Sequence, residues 1–334
     1  MSPATGSAWG SDLLRLRSAW LLLAVVTTPA VATTDDTDAS VQDTDAAAQS
    51  DLVPAPVHAP GSGPVPLGAT PQALLDEARR VRNQPLPDRM KAISDLMMGR
   101  PYLADPLGEG RGVDADPFAR YDVYDCLTFL EEVLALAEAG DPAHAASTRL
   151  GLRYGQQSPT YAHRRHFMEL QWIPGNIEDG WLVDTTAEYG PVTHMEREVT
   201  LDTWNSWAAR KGFAHTDDEL PIGTMKLDVL SLDDAIAAAD RIRPGTIVLT
   251  VRVDRPWKPI WISHVGFVLP NDDGDQADGN KPMVRHATRM ADKKVRDHGL
   301  AWYFEHLKSY SKWPAAGIAL LEPVEQGPRI SRLP

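Results

Sequence analysis

Cysteine is almost missing from this chain: Cys126 is the only one in 334 residues. No intramolecular disulfide can form, so the thiol is a small buried hydrophobe, a partner for another chain, or a reactive group. Cations are also short. Lys and Arg total 33 against 46 Asp and Glu, a formal net charge of −13. That balance argues against a nucleic-acid groove or an anionic membrane surface as partner. The N-terminal apolar stretch, residues 19–32, is 14 residues long, short of the roughly 20 needed to cross a bilayer. No cysteine follows it closely, which excludes a lipid-anchored lipoprotein.

What stands there instead reads as an export leader. Arg15 and Arg17 form the positive region, Trp20 to Val26 the apolar region, and Ala30-Val31-Ala32 a small-residue cleavage site. Residues 1–32 are therefore expected to be removed, with no stable membrane insertion afterwards. Residues 33–51 hold six Asp and no Lys or Arg, and 52–68 are rich in Pro and Gly. Neither has an apolar period, so 33–69 reads as an acidic, then Pro/Gly-rich, disordered linker. The Asp spacing lacks the central Gly and terminal Glu of a calcium loop. The folded domain is expected over 70–334, in a periplasm or outside the cell. Such compartments are oxidising, which makes a lone thiol conspicuous.

Within that domain the pattern is helical first. TPQALLDEARRVR predicts a helix with Thr70 as N-cap and Pro71 at the first helical position. DRMKAISDLMMG predicts another, closed by Gly99. A helix beginning at Cys126 follows, then one capped by Asp141-Pro142. The period changes in the C-terminal half, where residues 246–253, 263–269, 283–288 and 317–323 predict strands. NDDGDQADGNK, 271–281, reads as a polar hairpin loop, and 200–245 is expected to add helices. Helices followed by an antiparallel sheet define an α+β domain.

The Cys126 helix carries Leu127, Leu130, Leu134 and Ala137 on one face, flanked by Phe129, Val133 and Leu136. Glu131 and Glu132 are expected to face outward, and Asp122 or Asp125 to cap the helix. A thiol at a helix start meets unpaired N–H groups and the positive end of the macrodipole. Such positions can lower a cysteine pKa from about 8.5 to roughly 3.5–7.5, and the adjacent N–H can stabilise an oxyanion. Position alone still leaves buried filler open.

A reactive thiol needs a base. Among ten histidines, His264 in ISHVGFVL and His286 in VRHAT stand on consecutive predicted strands. His264 can then take the thiol proton while His286 bonds the far ring nitrogen and fixes its tautomer. Taken separately, each histidine reads more simply as a strand-end cap.

The ordered set Tyr124-Asp125-Cys126-Leu127-Thr128-Phe129, Ser263-His264-Val265-Gly266-Phe267-Val268, and Arg285-His286-Ala287-Thr288 resembles the NlpC-like branch of the papain superfamily, bacterial cell-wall cysteine peptidases and amidases. Gly99-Arg100-Pro101-Tyr102 and Arg164-Arg165-His166-Phe167 bring the resemblance closest to the N-acetylmuramoyl-L-alanine amidase-like family, over about residues 90–334. Departures are Leu127, where Thr is frequent, and Phe167-Met168, where Tyr-Phe is commoner.

The resemblance implies a papain-like, NlpC-type α+β fold, with the nucleophile at a helix N-terminus packed on an antiparallel sheet or half-barrel. It implies Cys126 as nucleophile, His264 as base and His286 as orienting residue. Tyr102 and Asp125 would line the substrate cleft, although Asp125 reads equally well as a helix cap. Arg165 would contact the glycan or brace the structure, and His166 reads as structural. No metal or organic cofactor is implied, since His163 and His166 lack a third ligand.

The function so implied is hydrolysis of a peptidoglycan amide, either N-acetylmuramoyl-L-alanine or a stem-peptide bond, through a thioester. Two alternatives stand beside it. One is an acyl or peptidyl transferase on the same fold. The other is an inactive wall-binding module whose tryptophans stack on sugars.

Overall fold

The computed structural model describes residues 70–139, 144–270 and 281–326. The leader, the linker, Asp141-Pro142 and most of the 271–281 loop lie outside the described residues. No described helix is long and apolar enough to cross a membrane.

Helix α1, Gln72–Val81, has Pro71 at its N-cap with no side-chain cap bond. The Thr70 hydroxyl instead pairs with the Tyr121 hydroxyl at 2.8 Å. The expected cap is thus displaced by one residue, because Pro71 supplies no N–H and takes the boundary position itself. Helix α2, Leu86–Asp95, begins earlier than expected, with Pro85 as its N-cap and Pro87 in its first turn. Gly99, at φ 75°, turns the chain away after it.

Helix α3, Cys126–Glu138, is the central element. It is enclosed on almost every side. Contrary to expectation, Glu131 and Glu132 do not face water: they are 3% and 0% exposed. Helix α4, Ala145–Tyr154, packs along that flank and supplies Arg149 and Arg153. Arg149 grips Glu132 through two 2.6 Å bonds, and Arg153 reaches Glu131 at 2.5 Å and Glu132 at 3.1 Å. Burial of these charges is tolerable only because each is paired and hydrogen-bonded. A π-turn over Met168–Trp172 and helix α5, Ile173–Glu178, follow.

Among the described residues eight strands form one antiparallel sheet. They are β1 Leu182–Asp184, β2 Val192–Val199, β3 Gly223–Leu230, β4 Ile247–Arg252, β5 Ile262–Val268, β6 Met283–Thr288, β7 Lys294–Gly299 and β8 Ala315–Pro323. The order is β2-β3-β8-β4-β5-β6-β7, with β1 also paired to β8. The four strands expected from sequence are β4, β5, β6 and β8. The 200–245 segment, expected to be helical, contributes β3 between helices α6, Leu201–Ser206, and α7, Leu232–Ala238. β2 and β3 escape periodicity because β2 is an edge strand studded with charge, and β3 pairs with it along its whole length.

Successive residues of β4 and β8 point to opposite sides of the sheet. Ile247, Leu249, Val251, Ala319 and Leu321 join α1, α2 and α3 in one apolar cluster. Val248, Ile318 and Leu320 join α7 and helix α8, Leu300–Leu307, in a second. The molecule is therefore a sheet with helices against both faces, a mixed α+β arrangement.

Candidate active site

The start of α3 is fixed by a reciprocal cap. The Thr128 N–H and hydroxyl both donate to Asp125 Oδ1 at 2.7 Å, while the Asp125 N–H donates to Thr128 Oγ1 at 3.0 Å. The other carboxylate oxygen accepts the Asp105 N–H at 3.2 Å, tying the 105 loop to the helix start. Burial pushes the Asp125 carboxyl up, against the cap bonds that pull it down. Asp125 is thus the N-cap of the helix whose first residue is Cys126.

Tyr102 reaches the same end by its backbone. Its N–H donates to the Lys293 carbonyl at 2.7 Å, and Tyr124 N–H donates to the Pro101 carbonyl at 3.1 Å. The Gly99–Tyr102 segment thereby lies between β7 and the residues leading into Cys126, with the Arg289 guanidinium over the Tyr102 ring.

α3 packs on β5 and β6, with Phe129 stacked on Phe267 at 6.1 Å. Glu169 sets the start of β5 by accepting both the Trp261 and Ile262 N–H groups at 2.5 Å. Its carboxyl is pushed up to about 7 by burial. Two residues on, His264 Nε2 lies 2.8 Å from His286 Nδ1. Close approach of the strands beneath this pair depends on Gly266, where a Cβ would meet Arg285 O, His286 Cβ and Val284 Cγ2 at 3.0 Å each.

The chain of imidazoles continues. His286 Nε2 lies 2.8 Å from Nδ1 of His298, on β7. Tyr303 of α8 stands edge-on to His286 at 5.3 Å and 6.4 Å from His264, with its hydroxyl on Thr250 Oγ1 at 2.7 Å. Cys126 and His286 are fully buried, and His264 keeps 8% exposure. Burial is the main cause that lowers His264 to about 3, and it sets His286 well below the usual imidazole range. Both rings are neutral at ordinary pH.

Arg165 lies away from this cluster of rings. Its guanidinium donates to Asn176 Oδ1 at 2.9 Å and Asp179 Oδ2 at 2.5 Å, with longer bonds to the Gly151 and Leu152 carbonyls. It braces α4 against α5, in space left by Gly155 and Gly175, where a Cβ would come within 2.6 Å of it. His166 is partly buried, with Nε2 2.7 Å from the Tyr161 carbonyl oxygen and its ring against Tyr161 and His215.

Sequence reasoning missed His298, Tyr303 and Asp105. The signal for His298 was the β6–β7 hairpin: once Val284 is paired with His298, its ring falls diagonally beside His286. Without β7 assigned, that register was invisible.

Fold and site together define a mixed α+β protein whose lone thiol heads a helix packed on a histidine-bearing antiparallel sheet. The chain belongs to the N-acetylmuramoyl-L-alanine amidase-like family, whose model matches residues 92–310. A Legionella pneumophila protein of known structure aligns with TM-score 0.63 at 20% identity, over 75% of this chain and 93% of its own. A Bacteroides uniformis N-acetylmuramoyl-L-alanine amidase aligns with TM-score 0.56 at 20% identity, over 71% and 98%. No curated protein matches the chain.

Proposed function

We propose that the protein is a cysteine-dependent peptidoglycan amide hydrolase of the papain-like, NlpC type, acting in the cell envelope. The observation that carries this reading is the His264–His286 hydrogen bond on strands packed against the helix that Cys126 begins. Family membership supports the amidase class.

Because burial keeps His264 neutral, the resting pair is thiol and imidazole. His264 takes the thiol proton as sulfur attacks the amide carbonyl, and the imidazolium so formed donates through Nε2 to His286. Backbone N–H groups at the start of α3 lie where the oxyanion develops. His264 then gives its proton to the leaving amine, and water attacks the thioester, restoring the thiol and releasing the acid. Tyr102 and Asp125 border the cleft at the helix start. Arg165 serves as a brace. The thiol is buried, so the carbonyl must arrive on the side where His264 keeps its exposure.

Mass spectrometry of muropeptides released from purified sacculi tests the reading, since fragment masses identify the bond cut. Release of peptide or saccharide by wild type and none by Cys126→Ala is expected. Undiminished release by Cys126→Ala would remove the thiol from the mechanism.

A further inference from the structure

Three imidazoles joined end to end can hold their protons in only two ways when all are neutral. In one, each ring carries hydrogen on Nε2 and donates to Nδ1 of the next, from His264 to His286 to His298. His264 Nδ1 is then unprotonated and can act as a base. In the other, every Nδ1 carries the hydrogen, the bonds run backwards, and His264 Nδ1 is already protonated. The choice is made for the whole chain at once.

We infer that His298 is a positioning residue whose neutral Nδ1, by accepting from His286, holds the chain in the direction that makes His264 a base. The inference rests on the proposed reaction and adds to it a third ring that touches neither thiol nor substrate.

A protonated His298 has hydrogen on both nitrogens and can only donate to His286. That forces the backward direction and puts a proton on His264 Nδ1. A ring at the edge of the sheet thereby controls one two bonds away. The groups around His298 favour its neutral form. His286 faces it from β6, and Trp302 of α8 stacks on it at 4.9 Å with His306 on the far side of the indole at 5.1 Å. Arg296 and His306 disfavour a further positive charge, while Asp297 and Asp292 favour one. Burial outweighs them all and takes the ring down to about 4. Trp302 is half exposed, so His298 is sheltered by a lid of one indole.

The test uses the full-length protein with ring-¹⁵N-labelled histidine and a soluble muropeptide substrate. Wild type should show His264 protonated at Nε2 and not at Nδ1 near pH 7. His298→Ala should show a mixture of the two forms, with kcat lowered in proportion to the share of His264 protonated at Nδ1 and KM unchanged. His298→Asn places an uncharged carbonyl oxygen where Nδ1 stood. It should restore most of kcat and lose any acid inflection that belongs to His298. Thermal melts check that both variants fold. A His264 ring protonated at Nδ1 in wild type, or a His298→Ala enzyme with unaltered kcat, pH profile and tautomer, would overturn the inference. Should Cys126→Ala remain active, the proposed reaction fails, and the tautomer of His264 still decides the role of His298.

Discussion

His264 Nε2 and His286 Nδ1 lie 2.8 Å apart, although 22 residues of chain separate them. This contact joins strands whose backbone pairing ends at Phe267 and Arg285, three residues from His264 and one from His286. Side chains continue a connection that the backbone has left off. Replacing His286 with Leu should therefore leave the sheet folded yet remove the acceptor for the imidazolium. We expect kcat to fall by about 10²–10⁴ with KM little changed. Steady-state kinetics on a muropeptide would show it, and a KM effect alone would contradict the orienting role.

Neutral imidazoles imply an unusual acid limb. A histidine base of ordinary pKa loses activity below about 6.5. Here His264 is lowered to about 3 and His298 to about 4, so the unprotonated base persists to lower pH. The kcat/KM profile should lack an inflection between pH 5 and 7. An inflection near 6.5 in the wild-type profile would show that the rings are more hydrated than their burial implies.

Asp125 has two duties that two substitutions separate. Asp125→Ala removes the cap of α3 and the tether to the 105 loop, costing about 1 kcal/mol of stability. Asp125→Asn keeps an acceptor for the Thr128 N–H and should melt close to wild type. If the Asn variant is nevertheless slow, the carboxylate itself contacts substrate; paired melting curves and rates decide.

Glu169 should make stability fall with rising pH. Its folded pKa is raised from 4.5 to about 7 by burial, so the folded state holds a proton that the unfolded state has released. The stabilisation is fully present below about 4.5 and disappears as pH climbs through 7. Glu169→Gln keeps an oxygen for the Trp261 and Ile262 N–H groups without a charge to bury. Urea melts should find the variant more stable than wild type at pH 8 and less distinguishable at pH 5.

The Arg153–Glu131–Glu132–Arg149 network predicts an asymmetric outcome. Arg153→Met alone strands buried carboxylate charge and should cost about 3–5 kcal/mol, whereas replacing Arg153 and Glu131 together with apolar residues should cost less than the single change. Denaturant midpoints compare them, and equal losses would argue that the charges are solvated.

The sequence made the helix of Cys126 legible because its cap, apolar face and thiol are local, within the 14 residues from Asp125 to Glu138. Strands β4, β5, β6 and β8 were legible for the same reason, as runs of apolar residues. β2 and β3 were not, since their pairing is a relation between two polar or mixed strands. Glu131 and Glu132 were misplaced because the arginines that permit their burial come from another helix. His298 was invisible until the register of a hairpin was known.

Gly266 sets a limit on what variation this protein can accept. With neighbours at 3.0 Å in three directions, even a methyl group there would wedge β5 from β6 and lengthen the contact between the two rings. Reshaping the cleft to admit a different wall fragment, whether by selection or by engineering, must therefore proceed through the loops around it, leaving the floor untouched.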